Sequence, residues 1–149
     1  MGEVRLKWAE KNLFVGVDST KHAIVISAQD EENAEGMKPS DLLLLALGSC
    51  SAVDVVGILK KKRQKMRGLS IHIEGDNEED PPWQLTDIRL LYKIQGEDID
   101  PKAVEQAIEL AEMKYCSVAA TLRSNVRITS DFEIIPQAGM LINEKGIEE

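Results

Sequence analysis

With 149 residues, the chain lies within the usual span of one domain and can bury a sizeable core without disulfides or a structural metal. Hydrophobic residues at 43% and charged residues at 30% describe an ordinary folded protein and exclude disordered, collagen-like and low-complexity classes. A formal net charge of −8 speaks against a nucleic-acid partner, because neutralising phosphates takes clustered Lys and Arg.

The opening stretch MGEVRLKWAE lacks the apolar core of a signal peptide, and the sequence suggests no apolar run of the roughly 18 residues that a spanning helix needs. A cytoplasmic location without membrane attachment is the expectation. Reducing pools there keep most thiols free, so the two cysteines, Cys50 and Cys116, point to packing or chemistry rather than to a permanent staple.

Alternating apolar positions, Val4, Leu6 and Trp8, then Leu13, Val15 and Val17, then Ala23 and Val25, predict a two- or three-stranded antiparallel meander with a turn over Asp18 to Lys21. The acidic stretch from Gln29 to Lys38 reads as an exposed loop. From Pro39 the pattern predicts a long helix running to Met66, about 40 Å, with Pro39 at its first position and Asp41 in its first turn. Basic residues Lys60 to Lys62, Arg63, Lys65 and Arg67 fall at its apparent end, where cations complement the helix dipole. From Leu42 to Leu59 almost every residue is apolar or small, so the helix must be enclosed on nearly all sides. A second subunit is the natural supplier of cover, which predicts a homodimer packed through Gly48, Ser49, Ser51, Ala52 and Gly57.

Gly68 is expected to stop the helix, and two longer strands follow, Leu69 to Gly75 and Leu85 to Gly96. Asp100 and Pro101 form an N-cap and first-turn pair for a second helix, with Val104, Ala107, Ile108, Ala111 and Tyr115 as its stripe. A short helical turn, Val118 to Leu122, leads to a last strand, Val126 to Ile135, and residues 137–149 read as a frayed tail. Strands in runs with two helices between them give an α+β class, as one domain over residues 1–149.

Cys50 in an apolar helix is either a small core residue or a reactive thiol, and its small neighbours leave room for a pocket beside the sulfur. Cys116, where the second helix pauses, suits an attacking and resolving pair with it. At about 100° per residue, Leu43 lies about 20° from Cys50 and Asp54 about 40°, so both share its face. Asp54 then reads as a buried carboxylate needing a partner, either a cation that also faces Cys50 (Arg123, Lys114, Lys11 or Lys21) or a structural contact. His22 and His72 stand alone and no CxxC, HxxxH, GxGxxG or phosphate-loop pattern occurs, so neither a metal nor a cofactor is expected.

The motifs KPSDLL at Lys38 to Leu43, GSC at Gly48 to Cys50 and KYCSV at Lys114 to Val118 resemble the OsmC/Ohr family of osmotically inducible and organic hydroperoxide resistance proteins. The resemblance covers roughly residues 7–135. It implies an OsmC-like fold: N-terminal antiparallel strands, a long buried central helix, a main antiparallel sheet and a second helix, in an intertwined homodimer. It also implies a peroxidase of organic hydroperoxides that is recycled by an external dithiol reductant. Cys50 would attack the peroxide and become a sulfenic acid, and Cys116 would resolve it as a disulfide. Met37 and Leu43 would line an apolar mouth for the substrate. Two positions depart from the family's pattern. Its peroxidases carry a glutamate ten residues before the first cysteine, where this chain has Ser40; Asp41 is the nearest carboxylate and projects about 180° away on an ideal helix. They also hold an arginine over the thiolate, whereas Arg5 is the sole arginine before Cys50 and Lys11 or Lys21 would have to stand in. The departures keep a second reading open, a non-catalytic member of the fold that binds a small apolar ligand or senses redox state.

Overall fold

The computed structural model describes residues 2–32 and 34–136, so the expected tail lies outside the described residues. Two compact units, Met1–Leu45 and Ala46–Glu149, divide the chain.

In the first unit, β1 (Arg5–Glu10), β2 (Leu13–Val17) and β3 (Ala23–Ser27) form the predicted antiparallel meander, in the order β1-β2-β3. Asp18 builds the second turn: its carboxylate accepts the amides of Thr20 at 2.9 Å and His22 at 2.8 Å, an arrangement that suits a short acidic side chain. The loop returns beside β3, where the Met37 amide donates to Val25 O at 2.9 Å and the Ser27 amide to Met37 O at 3.2 Å. Gly36 passes so close to the backbone of Ile26 that a Cβ there would sit 2.8 Å from a carbonyl carbon, which only glycine avoids.

Helix α1 spans Pro39–Lys61 and begins at the predicted proline. It ends five residues before the predicted Met66. The Gln64 amide bonds Leu59 O and the Arg63 amide bonds Lys60 O, while Arg63 takes φ 54, which is the crossed pair and left-handed residue of a Schellman cap. Arginine occupies the place that glycine usually marks, so the stop has no signature in the sequence. Gly68 is not the helix stop; it lies in β4 (Lys65–Asn77) beside an irregularity in pairing between Met66 and Gly68.

In the second unit, β4 pairs antiparallel with β5 (Leu85–Glu97), and β5 pairs with β6 (Arg127–Pro136). The last pairing is parallel, so the main sheet is mixed rather than antiparallel throughout. A parallel partner requires a crossover, which is made by α2 (Pro101–Leu110), a π turn (Ala111–Tyr115) and α3 (Ser117–Leu122). Asp100 caps α2 as predicted, accepting the Lys102 amide at 3.0 Å. Alternate residues Ile88, Leu90, Tyr92 and Ile94 of β5 are buried, and Leu47, Val55 and Leu59 of α1 and Val104, Ala107 and Ala111 of the crossover are fully buried too. Each of the larger side chains contributes about 1.5–3 kcal/mol by leaving water. Tyr115, assigned to the buried stripe by spacing, is instead 52% exposed because the π turn rotates it away.

By length and composition α1 does reach the apolarity of a membrane-crossing helix, with a mean hydropathy of 2.2, contrary to the sequence expectation. Within this fold its Leu47, Val55 and Leu59 are fully buried. It is not enclosed on all sides within one chain. Gly48 and Ser51 are buried, whereas Leu45, Ser49 and Val53, spaced four apart, form an exposed stripe with Val53 74% exposed.

Candidate active site

Gly48 faces β4: a Cβ there would meet the tip of the Ile73 side chain, which would have to move to admit a larger residue. Two residues later Cys50 is half-buried. Cys116 arrives from the crossover. Its amide donates to Ala111 O at 2.7 Å, the i to i+5 bond that defines the π turn, and the chain then turns extended at Cys116 to start α3. The Cys116 sulfur is the N-cap of that helix, accepting the Ala119 amide at 3.3 Å, and is 2% exposed.

Both thiols are free, and they lie close enough to influence each other's ionisation. Burial pushes the Cys50 thiol up, but hydrogen bonds from the Cys116 thiol, the Val118 amide, and the hydroxyl and amide of Ser117 outweigh it and hold Cys50 below the ordinary thiol value. Burial and the neighbouring Cys50 push Cys116 the other way, up to about 11. The pair is thus split into a thiol that ionises readily and one that keeps its proton.

Among the described residues, no cation is one of the groups that lower Cys50. Lys114 lies over the Tyr115 ring at 5.4 Å, and Arg123 donates to Glu112 O at 3.3 Å. Amide and hydroxyl donors at the start of α3 take the place that the sequence reserved for Lys or Arg. Asp54 is half-buried rather than buried, and among the described residues no hydrogen bond or ion pair engages it. A half-exposed carboxylate does not require the neutralising partner argued from its apolar helix. It lines an open groove of about 460 Å³ with Val53, Gly57, Ile58, Leu110 and Tyr115.

The remaining predicted site residues belong to the first unit or the start of α1. Lys11 pairs with Glu32 at 3.4 Å, and its carbonyl accepts the Trp8 indole N–H at 2.7 Å. Met37 is held beside β3, Asp41 is exposed in the first turn of α1, and Leu43 is 38% exposed. Lys21 sits in the β2–β3 turn with φ 70.

A group of residues that sequence reasoning did not single out joins the segments that carry the two sulfurs. The Tyr92 hydroxyl donates to Glu112 Oε1 at 2.8 Å, so the Ser51 hydroxyl, 2.6 Å from the phenol, is the donor to it. Ser130 also donates to Glu112 Oε1. Ser51 and Tyr92 are both 0% exposed. Burial pushes the Tyr92 phenol well above its ordinary value, reinforced by the Glu112 carboxylate. The only hint in the sequence is a lone tyrosine at a core position of an apolar strand, whose hydroxyl must find a partner.

Comparison with known proteins identifies the family and the fold. A family described as OsmC-like protein matches residues 30–131. Protein YhfA of Escherichia coli (strain K12) is 35% identical over 133 residues, covering 89% of this chain and 98% of its own. A hypothetical protein from Aquifex aeolicus VF5 is 34% identical with a TM-score of 0.78, over 91% of this chain and 98% of that one. An organic hydroperoxide resistance protein OsmC from Legionella pneumophila shares the fold at 12% identity, with a TM-score of 0.67 over 89% and 96% of the two chains. By the extent of the family match and the identity to YhfA, the chain belongs to the OsmC-like protein family.

Proposed function

We propose that the chain is a thiol-dependent peroxidase that reduces organic hydroperoxides. One observation supports this reading: Cys50 and Cys116 lie close enough to shift each other's ionisation in opposite directions, Cys50 down and Cys116 up. Membership of a family that includes organic hydroperoxide resistance proteins supports a redox or peroxide-related role.

Cys50, as thiolate, attacks the distal oxygen of the hydroperoxide; the O–O bond breaks, the alcohol leaves with a proton, and a sulfenic acid remains. The Cys116 thiol then displaces the sulfenic oxygen, which departs as water with the thiol proton, and a Cys50–Cys116 disulfide forms. An external dithiol returns both cysteines to thiols by exchange. Met37 and Leu43 serve the apolar part of the substrate, and Asp41 and Lys11 serve its approach, while amide and hydroxyl donors rather than a cation ease Cys50 toward its thiolate. Asp54 is assigned to tuning the approach to Cys50, one helical turn away.

The protein works in the cytoplasm, where dithiol reductants are at hand, and as a single OsmC-like domain assembled into a homodimer. The stripe Leu45, Ser49 and Val53, together with exposed Leu110, Met113 and Tyr115, supplies the apolar surface that a second copy would cover.

Mixing the reduced protein with cumene hydroperoxide should consume one peroxide per chain and yield the Cys50–Cys116 disulfide by mass spectrometry. Full retention of both thiols would end the proposal. A second reading, small-ligand binding or redox sensing without turnover, is favoured by one observation: among the described residues, the groups that lower Cys50 are amides, a hydroxyl and a thiol rather than a cation. Alkylation of Cys50 at pH 6 no faster than that of free cysteine would decide for it.

A further inference from the structure

Two buried hydroxyls, of Ser51 and Tyr92, and the half-buried Glu112 carboxylate link the two segments that carry the sulfurs. Ser51 follows Cys50 directly on α1, and Glu112 lies in the π turn whose closing bond belongs to the Cys116 amide. Tyr92 stands between them on β5, the central strand of its sheet, with no exposure to solvent. Its single oxygen accepts from Ser51 and donates to Glu112, while Ser130 on β6 anchors the same carboxylate oxygen. Neither apolar packing nor solubility needs these groups here, since phenylalanine would fill the same space without a hydroxyl to satisfy.

We propose that Tyr92 is a positioning residue whose hydroxyl, through Ser51 and Glu112, holds the Cys50 turn of α1 against the Cys116 π turn and so sets how readily the two sulfurs join. The inference deepens the thiol peroxidase reading and rests on it for its biological meaning. The physical statement concerns only the dithiol–disulfide couple. A π turn holds one residue more than the helix it interrupts and has weaker bonding geometry, so it needs an outside hold to keep one conformation. Loosening that hold spreads the Cys116 sulfur over more positions and lowers its effective concentration at Cys50.

The test is equilibrium with mixtures of oxidised and reduced dithiothreitol, which exchange two electrons and two protons with the protein and involve no peroxide. The disulfide fraction is read by mass after acid quenching and alkylation. Tyr92→Phe and Glu112→Ala should each shift the equilibrium at least about tenfold toward the dithiol, roughly 30 mV. Because both act through one chain of bonds, the double variant should shift it no further than the larger single one. Ser51→Ala should move it in the same sense, and it keeps the test alive if Glu112→Ala folds poorly. Ile94→Val removes a buried methyl group from the same strand without touching a hydroxyl and should leave the equilibrium within twofold of the wild type. Unchanged equilibrium in Tyr92→Phe and Ser51→Ala, an additive double variant, or an equal shift in Ile94→Val would each overturn the proposal. A protein that ignores peroxides yet shows the predicted shifts would remove the peroxidase reading and leave the brace standing. A peroxidase with an unmoved equilibrium would do the reverse.

Discussion

Cys50 and Cys116 are the same chemical group in settings that drive them apart. One receives donors from Ser117 and Val118, and the other is sealed from solvent with its sulfur spent on capping a helix. Site-resolved iodoacetamide labelling against pH should therefore give two separate profiles, Cys50 keeping its reactivity below the ordinary thiol range and Cys116 gaining it only near pH 11. Coincident profiles would show that the split does not exist. The same asymmetry affects stability. Cys116 holds its proton more tightly folded than unfolded, so its contribution is whole below the ordinary thiol value and is lost as pH climbs through about 11. Both sulfurs were readable in the sequence because no other cysteine competes with them. The donors were not, because backbone amides carry no residue identity and a serine hydroxyl has no distinctive spacing: the pattern pointed to Lys or Arg, whereas amides and the Ser117 hydroxyl at the start of α3 lower Cys50. Asp54 misled for a related reason, since an apolar helix reads as buried on every face when only some faces are.

The elements were legible where side-chain pattern alone decides them and not where backbone geometry does. Pro39 and Asp100 announced two helix starts, and alternation announced the strands. Asp100→Ala should cost about 1 kcal/mol in a denaturant melt, because the Lys102 amide loses its acceptor. The end of α1 was hidden, since Arg63 adopts the left-handed conformation without being glycine. Replacing it should help: Arg63→Gly is expected to raise stability by up to about 1 kcal/mol, and a loss would mean that its side chain contributes something the backbone argument omits. The π turn was equally invisible, because an extra residue in a helix leaves no mark on hydrophobic spacing except one misplaced side chain, Tyr115. Deleting exposed Met113 should restore regular helical winding there and turn Cys116 by about 100°. Circular dichroism would then be preserved while disulfide formation with diamide is lost.

At the scale of the molecule, the α+β class and the order of elements followed from the sequence, whereas the parallel pairing of β6 did not, since register leaves no trace in composition. Sedimentation at low micromolar concentration should give a dimer, and Val53→Asp, which places a charge on the exposed stripe of α1, should weaken it; a stable folded wild-type monomer would remove the assembly proposal. The parallel strand has a further effect. It forces the chain to travel from β5 over α2 and back before β6 can pair, and Cys116 lies on that return path while Cys50 precedes β4. A bond between the two sulfurs would close a covalent ring containing both long strands and α2. Closing so large a ring restricts the denatured chain by about 4 kcal/mol in the chain-entropy view. The oxidised protein should accordingly melt roughly 10 °C above the reduced one, so a heating curve would report which half of the cycle the molecule occupies.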